Sequence, residues 1–214
     1  MNRLSRIARA LELNRLGQTL IHVDAIESTN TELKRRAALG APEGYVIFAD
    51  EQTAGRGRMG KSWVSLPGKG VYVSVLLRPK WATSESVYIA MMAGVAVARA
   101  LERLGVTGVT LKWPNDVMVC GRKIAGILVE PRVIDQRIEF VVIGVGINIQ
   151  HTGEDLTGLY DLPATSCRLE GLQTACDDVL IEVLNELDTA YVAALHGGCG
   201  RIIEEWSARK EPTP

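Results

Sequence analysis

Two long apolar runs, 124–131 and 137–149, separated only by a short break at Ile134-Asp135, constrain the fold more than any other feature. Runs joined this closely must return on each other as an antiparallel hairpin, because a parallel crossover needs a dozen or more residues. Upstream, 20–26, 45–49 and 71–77 are short, apolar and rich in β-branched residues, and 109–113 and 117–120 add two more predicted strands. Helical spacing marks 84–104 (Ile89, Met92, Ala93, Ala96, Val97, Ala100) and 180–195 (Leu180, Val183, Leu184, Leu187, Tyr191). An amphipathic helix opens the chain with Leu4, Ile7, Ala8 and Leu11, and Gly17 stops it. Ser28-Thr29-Asn30 caps a further helix that reaches about Leu39. The predicted class is therefore α+β, with a mixed, largely antiparallel sheet packed with helices.

Composition narrows the function classes. The 214 residues carry a formal net charge of −1 with both signs interspersed, so no basic block is available to hold phosphate backbones and DNA binding is not expected. Cys120, Cys167, Cys176 and Cys199 form no C-x-x-C pair, and three histidines add no zinc spacing. No apolar h-region follows the N-terminal arginines, and no run reaches the ~20 apolar residues of a membrane span. A cytoplasmic protein with reduced cysteines and no membrane partner is expected.

The stretch 50–70 is polar, glycine-rich and too long for a plain connection, which marks a functional loop. Within it, Gly55, Gly57 and Gly60 free the backbone to curl, and Arg56, Arg58 and Lys61 supply positive charge, so phosphate or carboxylate is the natural guest. Gly55-x-x-x-x-Gly60-Lys61-Ser62 also satisfies the P-loop pattern. A P-loop opens a helix after its Lys-Ser, whereas Pro67, Gly68 and Gly70 follow here and the next predicted element is a strand.

A second constellation is Lys112-Trp113-Pro114-Asn115-Asp116, followed by 121–128. The Pro-Asn-Asp bend presents Asn115 and Asp116 at a strand end, where their oxygens suit Mg²⁺ held partly by substrate phosphates. Lys123 enters an apolar strand and aims its ammonium at an anion, although a turn with a solvated lysine is the simpler account of that segment taken alone. Gly144-Val145-Gly146 lacks the further glycine of a dinucleotide fingerprint and instead suggests a flat group lying close to the strand. Glu27-Ser28-Thr29-Asn30 reads first as a helix cap.

Together and in this order, these segments resemble the catalytic domain of biotin protein ligases. The matching text is ESTN at 27–30, DEQTAGRGRMGKSW at 50–63, LKWPNDV at 111–117, GRKIAGILVE at 121–130 and IGVGINI at 143–149. The resemblance covers about 20–195 and implies the biotin-lipoate ligase fold, akin to class II aminoacyl-tRNA synthetases. It also implies ATP-dependent formation of biotinyl-5'-AMP, then transfer of biotin to a lysine of a biotin carboxyl carrier domain. By the same resemblance, Ser28, Thr29, Asn30 and Gln52 hold the biotin head, with Gly126 also on the biotin side. Arg56, Gly57 and Arg58 close over the biotin carboxylate and the α-phosphate. Trp63 and Asn148 flank adenine, Lys112 and Asn115 lie near phosphate, and Asn115 and Asp116 serve the magnesium. Lys123, Arg58, Lys112 and Asp116 form the catalytic set.

Domain boundaries are expected at 1–18 for an N-terminal helix, 19–196 for the biotin- and ATP-binding domain, and 197–214 for a short C-terminal segment. The N-terminal helix-turn-helix of some relatives and the usual small C-terminal barrel are not expected. Met59 stands where many relatives carry an arginine. The resemblance further implies a homodimer. Lipoate ligation on the same fold, and a non-catalytic binder of biotin or its adenylate, are the alternatives.

Overall fold

The computed structural model describes residues 3–158, 163–197 and 199–211. The described residues form one sheet from β1 (Thr19–Ile26), β2 (Tyr45–Gln52), β3 (Gly70–Leu77), β4 (Val109–Lys112), β5 (Asp116–Val119), β6 (Arg122–Ile134) and β7 (Arg137–Asn148). Its order is β1-β2-β3-β7-β6-β5-β4, with β1 and β2 parallel and the other neighbours antiparallel. The mixed, largely antiparallel α+β arrangement is thus the one expected. The β6–β7 hairpin turns at Asp135-Gln136, one residue later than the sequence break, and both residues have positive φ (48° and 60°). Two such residues match the right-handed twist of the strands they join.

Six α-helices occur among the described residues: α1 (Arg3–Ala10), α2 (Thr29–Ala38), α3 (Ser86–Arg103), α4 (Gly153–Leu156), α5 (Cys176–Leu195) and α6 (Cys199–Ala208). Strand alternation divides the core in two. Val141, Ile143 and Val145 join Ile89, Met92, Leu180 and Leu187 beneath α3 and α5. Phe140 and Val142 point the other way, to Leu33 and Ala37 of α2. Gly144 and Gly146 continue that second side, where Asn30 at the start of α2 and Trp63 of the long loop approach the strand closely.

Several expectations need correction. The segment Thr83–Arg103 is long and apolar enough, by length and composition, to cross a membrane; in the fold, α3 is a core helix packed on the sheet and α5. The first helix ends at Ala10 rather than near Leu16, and Met1 and Asn2 of the expected helix lie outside the described residues. α5 begins at Cys176, four residues earlier than its apolar spacing indicated. Within 197–214, α6 buries Ile202 and Trp206 in the main core. Beyond α6 the backbone returns to β4, where Leu111 N donates to Arg209 O (2.7 Å) and Glu211 N to Leu111 O (2.9 Å). Residues 198 and 212–214 of that stretch lie outside the described residues.

Candidate active site

A cavity of about 480 Å³ lies beside the N-terminus of α2. Ser28, Thr29 and Asn30 reach it from α2, and Gln52 from the end of β2. Arg56, Gly57, Arg58 and Trp63 come from the long loop, Asn115 and Asp116 from the turn into β5, and Lys123 and Gly126 from β6. Twelve residues read from the sequence as ligand-facing therefore share one wall. Lys112 and Asn148 do not belong to that wall. Lys112 ends β4 opposite Asp116 in the strand register. Asn148 is fully buried, where its amide donates to Thr165 O (3.0 Å) and its Oδ1 has no partner.

The inner end of the cavity is an ordered polar array. Ser28 caps α2, accepting from Thr31 N (3.4 Å) as its sequence position suggested. The backbone N–H of Thr29 (2.9 Å) and its hydroxyl (3.1 Å) both donate to Gln52 Oε1, and Gln52 Nε2 donates to Ser65 Oγ (2.9 Å). These bonds fix the Gln52 amide, and with it the donor and acceptor pattern offered to a ligand. Ser74, buried on β3, places its hydroxyl between Thr29 Oγ1 (2.7 Å) and Asn30 Oδ1. The Asn30 amide nitrogen donates to Glu130 Oε2 (2.9 Å). Gly144, across the strand pair from Ser74, makes room for this: a Cβ there would stand 2.2 Å from Asn30 Oδ1.

The loop folds back on itself over the rest of the cavity. Trp63 N donates to Gly55 O (2.9 Å), Gly57 N to Lys61 O (2.7 Å), and the turn exposes Met59 at its tip. No helix follows Lys61-Ser62, and β3 is the next strand, so the P-loop pattern at 55–62 is coincidental. Trp63 lies flat on the paired glycines 126 and 146, where added Cβ atoms would sit 2.8 and 2.5 Å from its ring. The glycine pair thus holds an indole of this chain, where the sequence suggested a flat ligand. Arg58 Nη1 reaches Asn115 Oδ1 (3.3 Å), and Asn115 Nδ2 donates to Ile127 O (3.1 Å). Lys123 Nζ pairs with Asp116 (2.6 Å) and sits 5.5 Å from the Trp63 ring centroid, a cation–π distance.

Sequence reasoning gave no role to Glu130, Ser74 or Lys34, and at Gly144 the close neighbour is the Asn30 amide rather than a flat group. Glu130 closes the 121–130 motif; on β6 it meets Lys34 Nζ (2.6 Å) and Arg56 Nη1 (3.3 Å) as well as Asn30. Burial alone would raise its carboxyl, but hydrogen bonds from Lys34 and Asn30 and the charges of Lys34 and Arg56 bring it below the ordinary carboxylate value. A polar Ser74 inside the apolar run 71–77 was the one available signal for the buried array.

Asn115 and Asp116 do not fit a magnesium held by the protein alone. Octahedral Mg²⁺ needs about six oxygens, yet Asn115 Oδ1 already accepts from Arg58 and the Asp116 carboxylate faces the Lys123 ammonium. The pair suits only an ion that brings most of its own oxygen ligands. Elsewhere among the described residues, His22, Asp24 and Asp50 place ligand atoms within 4.8 Å of one another, but Arg3 already lies 2.6 Å from Asp50 there.

Residues 23–148 match the model of the biotin/lipoate A/B protein ligase family. The chain belongs to this family. The bifunctional ligase/repressor BirA of Bacillus spizizenii is 38% identical over 151 residues, which span 71% of this chain and 46% of its own length. The biotin–[acetyl-CoA-carboxylase] ligase of Mycobacterium tuberculosis is 40% identical over 146 residues, or 63% of this chain and 52% of that protein. The chain thus spans about half the length of these biotin/lipoate ligase relatives. Among solved structures, the biotin protein ligase of Aquifex aeolicus in complex with biotin and ATP superposes with a TM-score of 0.75 at 26% identity, covering 90% of this chain and 78% of that one. This chain's β2–β3 loop, β4–β5 turn and the glycines at 144 and 146 on β7 all fall inside the matched residues.

Proposed function

We propose that this chain is a biotin protein ligase: it joins the biotin carboxylate to AMP at the expense of ATP, then transfers the biotinyl group to a lysine of a biotin carboxyl carrier domain. The observation that carries the proposal is the cavity's polarity, a neutral hydrogen-bonding array at one end and Arg56, Arg58 and Lys123 at the other. Biotin has the complementary form, a polar neutral head and a carboxylate tail. The named ligase relatives and the biotin- and ATP-bound likeness support the same assignment.

In the first step a biotin carboxylate oxygen attacks the α-phosphorus of ATP, and pyrophosphate leaves. Two anions must approach, so the barrier falls when fixed positive charge neutralises them. Lys123 is the group best placed for this, being directed by Asp116 and Trp63 rather than free to swing. Arg56, Gly57 and Arg58 close over the carboxylate and phosphate from the loop, while Ser28, Thr29, Asn30 and Gln52 hold the head and Gly126 floors the cavity. ATP enters as its magnesium complex, with the phosphates supplying the oxygens that Asn115 and Asp116 lack. In the second step the carrier lysine, as a free amine, attacks the acyl carbon and AMP leaves. No enzyme nucleophile is needed, and the folded-back loop keeps water from the mixed anhydride. Lys112 and Asn148, outside the cavity wall, serve the nucleotide only if ATP extends past it. A cytoplasmic location, as the sequence composition suggests, and a homodimer, as the family resemblance implies, complete the proposal.

The test is mass spectrometry of a carboxyl carrier domain after incubation with the chain, biotin and MgATP. A biotin-sized gain on one carrier lysine is expected, and Lys123→Ala should slow pyrophosphate release by about 10²-fold or more. Preferential transfer of lipoate, or neither pyrophosphate nor modified carrier, would overturn the proposal.

A further inference from the structure

The Glu130 carboxylate joins the cavity's two ends. It accepts from Asn30 Nδ2 (2.9 Å) within the polar array, and it lies 3.3 Å from Arg56 Nη1 of the loop. Lys34 Nζ, 2.6 Å away on α2, makes a third contact. Glu130 is largely buried, with a side chain 17% exposed, whereas Arg56 is about half exposed. One carboxylate facing two cations leaves this cluster with a net positive charge, so the charge that meets an incoming anion survives the pairing. Arg56 is also the residue whose backbone bridges to Ser62 across the loop, so holding its guanidinium holds both limbs.

From this geometry we infer that Glu130 is a positioning residue: it ties the arginine loop to the same carboxylate that orients Asn30, so that loop closure and the head-group array are set together. The inference rests on the ligase assignment for its consequence in catalysis, but not for the tie itself. Asn30 offers its amide nitrogen to Glu130 and its oxygen to Ser74, so its place in the head-group array is fixed from both sides. Loss of the carboxylate charge should therefore leave the head-group array nearly intact while releasing the loop. Glu130→Gln is the discriminating change, because the amide oxygen can still accept from Asn30 but no longer carries the charge that holds Arg56 and Lys34.

The experiment has two readouts on the full chain. In the ligand-free protein, hydrogen–deuterium exchange over 53–62 should quicken about two- to fivefold in Glu130→Gln, the factor expected for losing a partly exposed ion pair. With biotin and MgATP, the KM for biotin should stay within about threefold of the original. Escape of the adenylate, read as pyrophosphate formed per biotin transferred, should rise about fivefold or more. Glu130→Asp, which keeps the charge on a shorter arm, should recover part of both effects, and in the loop-exchange readout adding Glu130→Gln to Arg56→Gln should change nothing further. Unchanged loop exchange in Glu130→Gln, or tighter retention of the adenylate, would overturn the inference. A wild-type chain that forms no adenylate would instead defeat the ligase assignment, leaving the exchange measurement to decide the tie. Should Glu130→Gln fold poorly, Lys34→Gln with Arg56→Gln removes the same pairs from the cation side, and absence of loop loosening there would equally overturn it.

Discussion

Three residues past Asn148, the His151 imidazole is fully buried and neither ring nitrogen makes a hydrogen bond of ordinary geometry. Desolvation is the main cause that brings its pKa down to about 4, with Asp155 opposing and Lys69 assisting. The unfolded chain titrates this group near 6.5. Between these values the unfolded state binds the extra proton, so the stability contribution is complete above pH 6.5 and declines as the pH falls toward 4. The loss amounts to at most about 3 kcal/mol. Thermal melts of wild type and His151→Leu from pH 7.5 to 4 should show a shallower acid slope in the variant, since the carboxylates common to both cancel. Parallel slopes would remove His151 as the source. At this scale the sequence was most informative where chemistry sits in short motifs: Gln52, Arg56, Arg58, Asn115 and Lys123 were all picked out, and all meet at one cavity. It was least informative for Ser74 and Glu130, because their roles come from Asn30 on α2, 44 and 100 positions away, which no local spacing encodes.

Among the elements, α6 is the longer of two helices that local reasoning missed, the other being α4. Gly197, Gly198 and Gly200 at its start argue against a helix, and tertiary burial of Ile202 and Trp206 overrides that propensity. The consequence reaches the site. Trp206 meets Trp113 edge to face, with ring centroids 5.6 Å apart, and Trp113 directly precedes the Pro114-Asn115-Asp116 turn of the cavity wall. Replacing Trp206 by alanine should cost about 3 kcal/mol, the lower end for a buried tryptophan because its partner Trp113 is half exposed. Trp206→Phe keeps an aromatic edge and should cost about 1 kcal/mol. Urea titrations of the two variants measure this difference, and equal losses would show that the ring pair contributes nothing beyond bulk. By contrast, the β6–β7 hairpin was legible to within a residue, because strands joined by a two-residue turn must pair with each other.

For the molecule as a whole, the question is whether the N-terminal residues form an appendage or part of the body that holds the cavity. The first helix was read as a unit ending at 18, apart from the domain that follows. Its connections cross that boundary. Asp188, fully buried on α5, accepts from the backbone N–H groups of Asn14 (2.7 Å), Arg15 (2.8 Å) and Leu16 (2.8 Å). Arg3 bonds Asp50, at the root of the arginine loop, and Asp177, beside the start of α5. A carboxylate that satisfies three backbone donors cannot be replaced locally by water once Leu16 is buried over it, so its loss should be felt by the common core. Asp188→Ala should therefore cost about 3 kcal/mol. For a chain of this size that corresponds to a Tm roughly 6–12 °C lower. The transition should remain single, with far-ultraviolet circular dichroism and tryptophan fluorescence melting together. If instead 3–18 became protease-sensitive while the melt of the sheet stayed in place, the N-terminal helix would be an independent appendage. Coincident melting would make it structural support for the loop that closes over the cavity, through the Arg3–Asp50 pair.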